Sequence, residues 1–329
     1  MSDDAGETPL SIWSRPRRPG EAPRPVLGTM NFGRRTPAAD AERIILRALE
    51  RGVVHFDTAN AYCDGESERI LGRALGARRA DVLVATKVGF GRVTGKPEGL
   101  ARARVLSAFD ESRKRLGVDV VDLYYLHVPD HETPIDETLD AIAELLDNKL
   151  VRAFAASNYA SWQLLEMLVA CDRRAMPRPV VSQVLYNLLI RQLDLEYARF
   201  ARRYQVHSMV YNALGGGLLS GRHERGEPPA GSRFHKNALY QGRYWSDRMF
   251  DLVDAYREVA DAEAMSLADL AYAWLAGSAV VDSILLGPAT VEQLDQALDA
   301  CARAVSPQGR RRIDEIHRAF VGTETSYAR

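Results

Sequence analysis

From residue 26 onward, short apolar runs alternate with amphipathic segments of helical period. Runs at 26–30, 53–57, 82–86, 120–126, 151–156, 180–184, 206–211 and 281–286 predict strands. Helical patterns fall between them at 37–51, 67–75, 100–116, 135–149, 162–171 and 195–204, and later at 249–262, 267–276, 291–300 and 307–320. In the first of these, Thr36 followed by Pro37 reads as an N-cap and first-turn pair, and Ile44, Ile45, Ala48 and Leu49 share one face. Gly76 stops the second helix. A polar stretch rich in Gly and Arg, 212–245, interrupts the alternation.

Apolar strands bounded by turn residues and alternating with helices predict a parallel sheet covered by helices. About eight such units fit a closed (β/α)8 TIM barrel of the α/β class better than an open doubly wound sheet. A dinucleotide-binding Rossmann unit requires GxGxxG after its first strand. The corresponding segment is Gly28-Thr29-Met30-Asn31-Phe32-Gly33, and neither it nor the late Gly215-Gly216-Gly217 run matches. The expected organisation is one barrel domain, 26–329, behind a loosely ordered tail, 1–25.

Composition narrows the partners more than the fold. A formal net charge of −1 over 329 residues gives no electrostatic case for nucleic acid or an anionic membrane. Cys63, Cys171 and Cys301 are far apart and odd in number, so neither a disulfide frame nor a metal site is expected. With no secretory h-region and no spanning stretch, the sequence predicts a cytoplasmic protein. Lysine is scarce beside arginine, which singles out Lys87 at a strand end.

Barrel strands present their C-terminal ends to the active site. Those ends read Phe56-Asp57-Thr58, Ala85-Thr86-Lys87, Tyr125-Leu126-His127, Ala156-Ser157-Asn158, Ser182-Gln183 and Val210-Tyr211-Asn212. Polar and ionisable groups therefore collect at one rim. Each alone has a plainer explanation: Asp57 with Lys87 as a buried ion pair, His127 as a core histidine, Tyr62 as packing. Together they fit carbonyl reduction. A tyrosine serves as proton donor, an ammonium is expected to lower its pKa, a carboxylate holds the ammonium, and a histidine orients the substrate oxygen.

The segments Phe56-Asp57-Thr58-Ala59-Asn60-Ala61-Tyr62, Thr86-Lys87 and Tyr125-Leu126-His127-Val128-Pro129-Asp130 resemble the tetrad motifs of aldo-keto reductases. The stretches at 26–35, 125–139 and 211–222, with Arg243-Tyr244-Trp245 and Tyr327-Ala328-Arg329, are similar to the aflatoxin-aldehyde (succinic semialdehyde) reductase branch. The resemblance implies NADPH lying across the barrel mouth. It assigns the nicotinamide carboxamide to Ser157, Asn158 and Gln183 and the ring to Tyr211. Asn212, Leu214, Gly216 and Arg222 go to the pyrophosphate path, and Gly287, Thr290, Gln293 and Gln296 to the adenosine end. Ala289 and Ala297 stand where the branch carries serine and asparagine, so NADH is not excluded.

Substrate residues follow less directly. Arg233, Arg243 and the terminal Arg329 are candidates for an anionic substrate group, and Met30 and Trp245 for apolar walls. Arg225 reads as an ordinary loop residue and Cys63 as a small filler. The expected partner is a small carbonyl compound, with a homodimer or higher homo-oligomer suggested by analogy. Three functions remain open: an aldehyde or ketone reductase, a tailoring reductase, epimerase or dehydratase on a natural-product or sugar intermediate, and a cofactor-binding regulatory subunit.

Overall fold

The computed structural model describes Trp13 and residues 15–322. Its strands are β1 (Arg24–Gly28), β2 (His55–Asp57), β3 (Leu83–Val88), β4 (Arg92–Val93), β5 (Lys96–Pro97), β6 (Val121–Leu126), β7 (Val151–Ser157), β8 (Val181–Leu185), β9 (His207–Tyr211) and β10 (Ser283–Leu286). Eight of them close a barrel in the order β1-β10-β9-β8-β7-β6-β3-β2, every pairing parallel. The remaining pair, β4 and β5, is a small antiparallel hairpin after β3. This is the expected (β/α)8 barrel.

The helices are α1 (Ala38–Glu50), α2 (Glu66–Leu75), α3 (Arg102–Leu116), α4 (Ile135–Asp147), α5 (Ser161–Arg173), α6 (Tyr197–Tyr204), α7 (Ala238–Tyr244), α8 (Asp247–Ala262), α9 (Leu267–Ala276), α10 (Val291–Cys301) and α11 (Pro307–Val321). In α1 an apolar stripe of Ala41, Ile44, Ile45 and Ala48 is buried, whereas α11 packs on α8. No described helix is long and apolar enough to cross a membrane.

Strand alternation sets up the site. Ala85, Tyr125, Val181 and Met209 belong to the buried cluster inside the barrel. Two residues further along the same face stand Lys87, His127, Gln183 and Tyr211, so the period-2 pleat carries all four to the mouth. In register, Asp57 lies opposite Ala85, and Lys87 opposite Tyr125.

Two expectations are corrected and two features were not foreseen. The segment before residue 26 is not all tail: Trp13 is 1% exposed, packs with Val26 and Leu83 inside the barrel, and meets His55 edge-on at 5.0 Å. Arg17 also bonds the carbonyls of Ser278 and Ala276. Thr36 does not cap α1. Pro37 holds that place without a side-chain cap, and Thr36 is used in a bridge to Phe32. The hairpin of β4 and β5 was not foreseen. The 212–245 stretch holds a 3₁₀ turn, Gly215–Ser220, and then α7.

Candidate active site

Asp57 ends β2, and Lys87 reaches its carboxylate from β3, both side chains fully buried. The Lys87 Nζ also donates to the Thr58 carbonyl at 2.8 Å and lies 3.4 Å from the Tyr62 hydroxyl. The second oxygen of Asp57 accepts from the Gln183 amide at 2.9 Å. His127 follows β6 and meets the Tyr62 ring edge-on at 5.8 Å. The structure thus brings Asp57, Tyr62, Lys87 and His127 into one cluster at the mouth.

Tyr62 is held by a tight exit from β2. The backbone N–H of Thr58 bonds Ala85, that of Asn60 bonds Lys87, and that of Tyr62 bonds Ala59. The next three residues, Cys63, Asp64 and Gly65, all take positive φ (49°, 54° and 80°). Two of them are not glycine, so the turn holding the tyrosine carries backbone strain. Cys63 points its thiol at the Met30 carbonyl, 3.6 Å away, consistent with a filler.

Electrostatics here differ from expectation in one respect. Burial pushes the Tyr62 phenol well above its usual range, and Asp57 adds to that shift. The expected lowering is not seen, because burial dominates; the Lys87 ammonium itself is bonded to Asp57 and the Thr58 carbonyl. Burial also pushes Asp57 up and the Lys87 ammonium down, each opposed by its partner's charge. His127 is driven well below the ordinary imidazole value by burial and then by Lys87, so it is neutral near pH 7. Its buried Nδ1 has no partner among the described residues.

The other expected residues also collect around the mouth. The Ser157 hydroxyl donates to the Gln183 carbonyl at 3.0 Å. Asn158, at φ 65°, donates to the His127 carbonyl at 2.9 Å and accepts from the Tyr211 hydroxyl at 2.6 Å. Asn212 accepts from the Gly216 N–H at 2.7 Å and donates to Tyr244. Leu214 precedes the 3₁₀ turn, in which Gly215, Gly216 and Gly217 take φ of 57°, 71° and 111°. Only glycine adopts three such values in a row cheaply.

Arg222 is exposed just past that turn. Thr290 caps α10 by accepting from the Gln293 N–H, and the Gln293 side chain accepts from Ala289. Gln296 is turned instead to α9, bonding Asp269 at 3.0 Å and Ser266 at 3.3 Å.

Among the substrate candidates, Met30 is exposed at the rim. Arg233 donates to Asn31 at 2.8 Å, and Asn31 in turn reaches the Gly287 carbonyl at 3.4 Å, which ties the long loop across β1 and β10. Arg243 lies near enough to Tyr211 to act on it electrostatically. Trp245 packs into the loop's own aromatic cluster, 4.7 Å from Phe234, and donates to the Gly226 carbonyl. Arg225 pairs with Asp251 and Asp254 on α8. Arg329 lies outside the described residues.

Two residues escaped the sequence reading. Phe90 lies 5.0 Å from the His127 ring and is 56% exposed, an open aromatic face beside the site. Glu98 is a buried carboxylate accepting from the N–H groups of Gly89 and Gly91, from Asn60 at 2.7 Å and from Arg104. It ties the loop bearing Tyr62 to the loop bearing Phe90. An aromatic residue three places beyond a strand-end lysine was the available signal for Phe90.

Residues 26–318 match the sequence pattern of the Aldo/keto reductase family. The chain belongs to that family. Among curated proteins it is 35% identical over 312 residues to aflatoxin B1 aldehyde reductase member 2 of Rattus norvegicus, covering 89% of this chain and 82% of that one. The human protein of the same name is 36% identical over 307 residues, covering 87% and 83%. A protein named "Probable voltage-gated potassium channel subunit beta" from Arabidopsis thaliana is 30% identical over 279 residues, covering 82% and 84%. Membership of the aldo/keto reductases makes the protein an oxidoreductase and implies NAD(P)H-dependent reduction of a small carbonyl compound.

Proposed function

We propose that this aldo/keto reductase converts an aldehyde or ketone to the alcohol with NADPH, and that Tyr62 is the proton donor. The observation that carries the reading is the Tyr62 hydroxyl 3.4 Å from an ammonium that is itself buried against Asp57. When bound, the cofactor supplies the hydride for the carbonyl carbon. The Tyr62 hydroxyl gives its proton to the carbonyl oxygen as that oxygen gains charge, and Lys87 stabilises the phenolate left behind. Neutral His127 donates a hydrogen bond to the same oxygen and fixes the approach. Asp57 keeps the ammonium charged and aimed.

The residues at the mouth fit the cofactor. Gly287, beyond β10, takes no positive φ, and a Cβ there would meet nothing within 4 Å, so no packing demands glycine. Its open surface suits close approach of a ligand. Ser157, Asn158 and Gln183 would hold the carboxamide and Tyr211 the ring. Asn212, Leu214, Gly216 and Arg222 would flank the pyrophosphate, and Thr290 and Gln293 the adenosine end. Gln296 belongs to this set only if it leaves Asp269. Met30, Arg233 and Arg243 would face the substrate.

The test is NADPH oxidation with nitrobenzaldehyde. Saturable turnover that falls by about 10²–10⁴-fold in Tyr62→Phe, the span of general acid catalysis, is expected. Tight NADPH binding without turnover would overturn the reading in favour of a cofactor-binding subunit. Comparing NADPH with NADH affinity settles the phosphate preference, and a ratio near one would assign its loss to Ala289 and Ala297.

A further inference from the structure

Outside the barrel wall, the loop after β8, the C-terminal end of α9 and one face of α11 enclose a cleft of about 550 Å³. Small-molecule sites occupy about 300–1,000 Å³. None of the lining residues belongs to the strand-end site. The charges in the cleft are unevenly matched. Arg191 bonds Asp194 at 2.8 Å, lies 2.9 Å from Asp314 and rests on the Trp274 ring, so its charge is answered. Arg310 is half-buried in the same cleft, with neither an acceptor nor an acid bonded to it among the described residues. Arg318, at the rim, donates to the Asp314 carbonyl at 3.3 Å. The buried Nδ1 of His317 also lacks a partner among the described residues.

The backbone is shaped around Arg310. Gly277 caps α9 with φ −88°, a value any residue adopts, so its conformation does not call for glycine. A Cβ at that position would stand 1.6 Å from Arg310 NH2, so glycine is what lets the guanidinium lie over the chain. Behind this turn, Arg17 spends its donors on the carbonyls of Ala276 and Ser278, and its charge adds to that of Arg310. The Arg310 donors are left to solvent in the cleft, free to take an anionic ligand. Its planar fork suits a phosphate or carboxylate.

We propose that this cleft is a second ligand site that takes the phosphate or carboxylate of a small metabolite on Arg310. His317 and Arg318 supply further donors, and the buried rings of Tyr186 and Trp274, 5.2 Å apart, form the floor of the cleft. The site is separate from the barrel mouth and stands independently of the carbonyl-reduction reading.

Calorimetric titration of the full chain with inorganic phosphate, and separately with succinate, at fixed ionic strength tests it. One-to-one binding of at least one anion is expected, and the arm that binds tells phosphate from carboxylate recognition. Arg310→Gln and Gly277→Ala should each weaken that binding about tenfold or more, as loss of a charge-assisted hydrogen bond predicts. Arg257→Gln, on α8 outside the cleft, should leave it unchanged. Because Arg310 makes no bond to the described residues, Arg310→Gln should melt as the wild type does in anion-free buffer, and Gly277→Ala provides a second route to the same loss. Absence of saturable binding by either anion, or equal binding by wild type and Arg310→Gln, would overturn the proposal.

Discussion

Replacing Lys87 by methionine strips one charge from a pair that has no water to turn to. Both side chains of the pair are fully buried. Methionine keeps the apolar stem, so the loss is confined to the ammonium: its contact with Asp57, its bond to the Thr58 carbonyl at 2.8 Å and its approach to Tyr62 at 3.4 Å. Asp57 is left with the Gln183 amide at 2.9 Å. Breaking a buried pair from one side costs roughly 3–5 kcal/mol. At about 2 °C per kcal/mol for a large domain, the melting temperature falls by roughly 6–10 °C.

Protonation of Asp57 limits that cost, which makes it depend on pH. Burial already pushes Asp57 above the usual carboxylate range, and removing Lys87 leaves that push opposed only by the Gln183 amide. A carboxyl whose folded pKa is raised contributes stability that is present below its unfolded value, near 3.9, and lost as pH rises through the folded value. Lys87→Met is therefore expected to melt close to wild type near pH 4 and well below it near pH 8. The double variant Asp57→Asn/Lys87→Met carries no stranded charge, so it should regain the melting temperature and lose the extra pH dependence. In the NADPH oxidation assay both variants should turn over about 10²–10⁴-fold more slowly, because the proton donor has lost its cation. Turnover of Lys87→Met within about threefold of wild type would refute the relay, since general acid catalysis is worth far more. An unchanged melting curve near pH 8 would refute the buried pair.

Glu98→Gln keeps the side-chain shape but removes the charge accepting from Gly89, Gly91, Asn60 and Arg104; it should cost about 1–3 kcal/mol and lower kcat while raising KM, read by melting and steady-state kinetics. Unchanged kinetics would show that the Tyr62 loop does not lean on Glu98. Gly216→Ala places a side chain at φ 71° with its Cβ 2.8 Å from Tyr240, so a loss of about 1–2 kcal/mol and weaker NADPH binding are expected, checked by melting and fluorescence titration. His55 is pushed down to about 3 by burial, with His207 and Lys87 adding to it. A lowered folded pKa gives stability present above the unfolded value near 6.5 and lost as pH falls toward about 3, so His55→Leu should flatten that acid limb of urea midpoints.

The barrel and the cluster at its mouth were legible because two periodicities coincide. Apolar runs mark the strands, and the period-2 pleat fixes which of their last residues face inward, as it does for Lys87 beyond Ala85 and His127 beyond Tyr125. What escaped depends on contacts distant in sequence. Glu98 gathers partners from positions 60, 89, 91 and 104, and in a Gly-rich loop a glutamate reads as solvated. Trp13 follows only a short apolar pair, Leu10 and Ile12, ahead of an Arg- and Pro-rich stretch, and only the closed barrel provides the floor that buries it. The β4–β5 hairpin turns on Thr94 and Gly95, both at positive φ, and two-residue strands carry too few alternating positions to show. The direction of the Tyr62 shift depends on how far burial and Asp57 outweigh the lowering charge of Arg233, which residue order alone does not determine.

That shift changes how the proposed proton donor works. A phenol held well above its usual range is fully protonated near neutral pH, so the acid is always loaded, but it gives up its proton reluctantly in the resting site. In that state the Lys87 charge is answered by Asp57, and the neutral hydroxyl 3.4 Å away gains little from it. As the proton leaves, charge grows on the Tyr62 oxygen at that same distance. Against Lys87 alone a full charge there gains about 5 kcal/mol at an effective dielectric of about 20, a gain that burial and Asp57 outweigh in the resting site. The ammonium thus acts mainly on the transition state, where stabilisation raises kcat instead of merely tightening binding. Asp57 keeps Lys87 charged at the expense of raising the resting phenol, and the fixed geometry of the buried pair holds the ammonium where it lowers the barrier once charge moves.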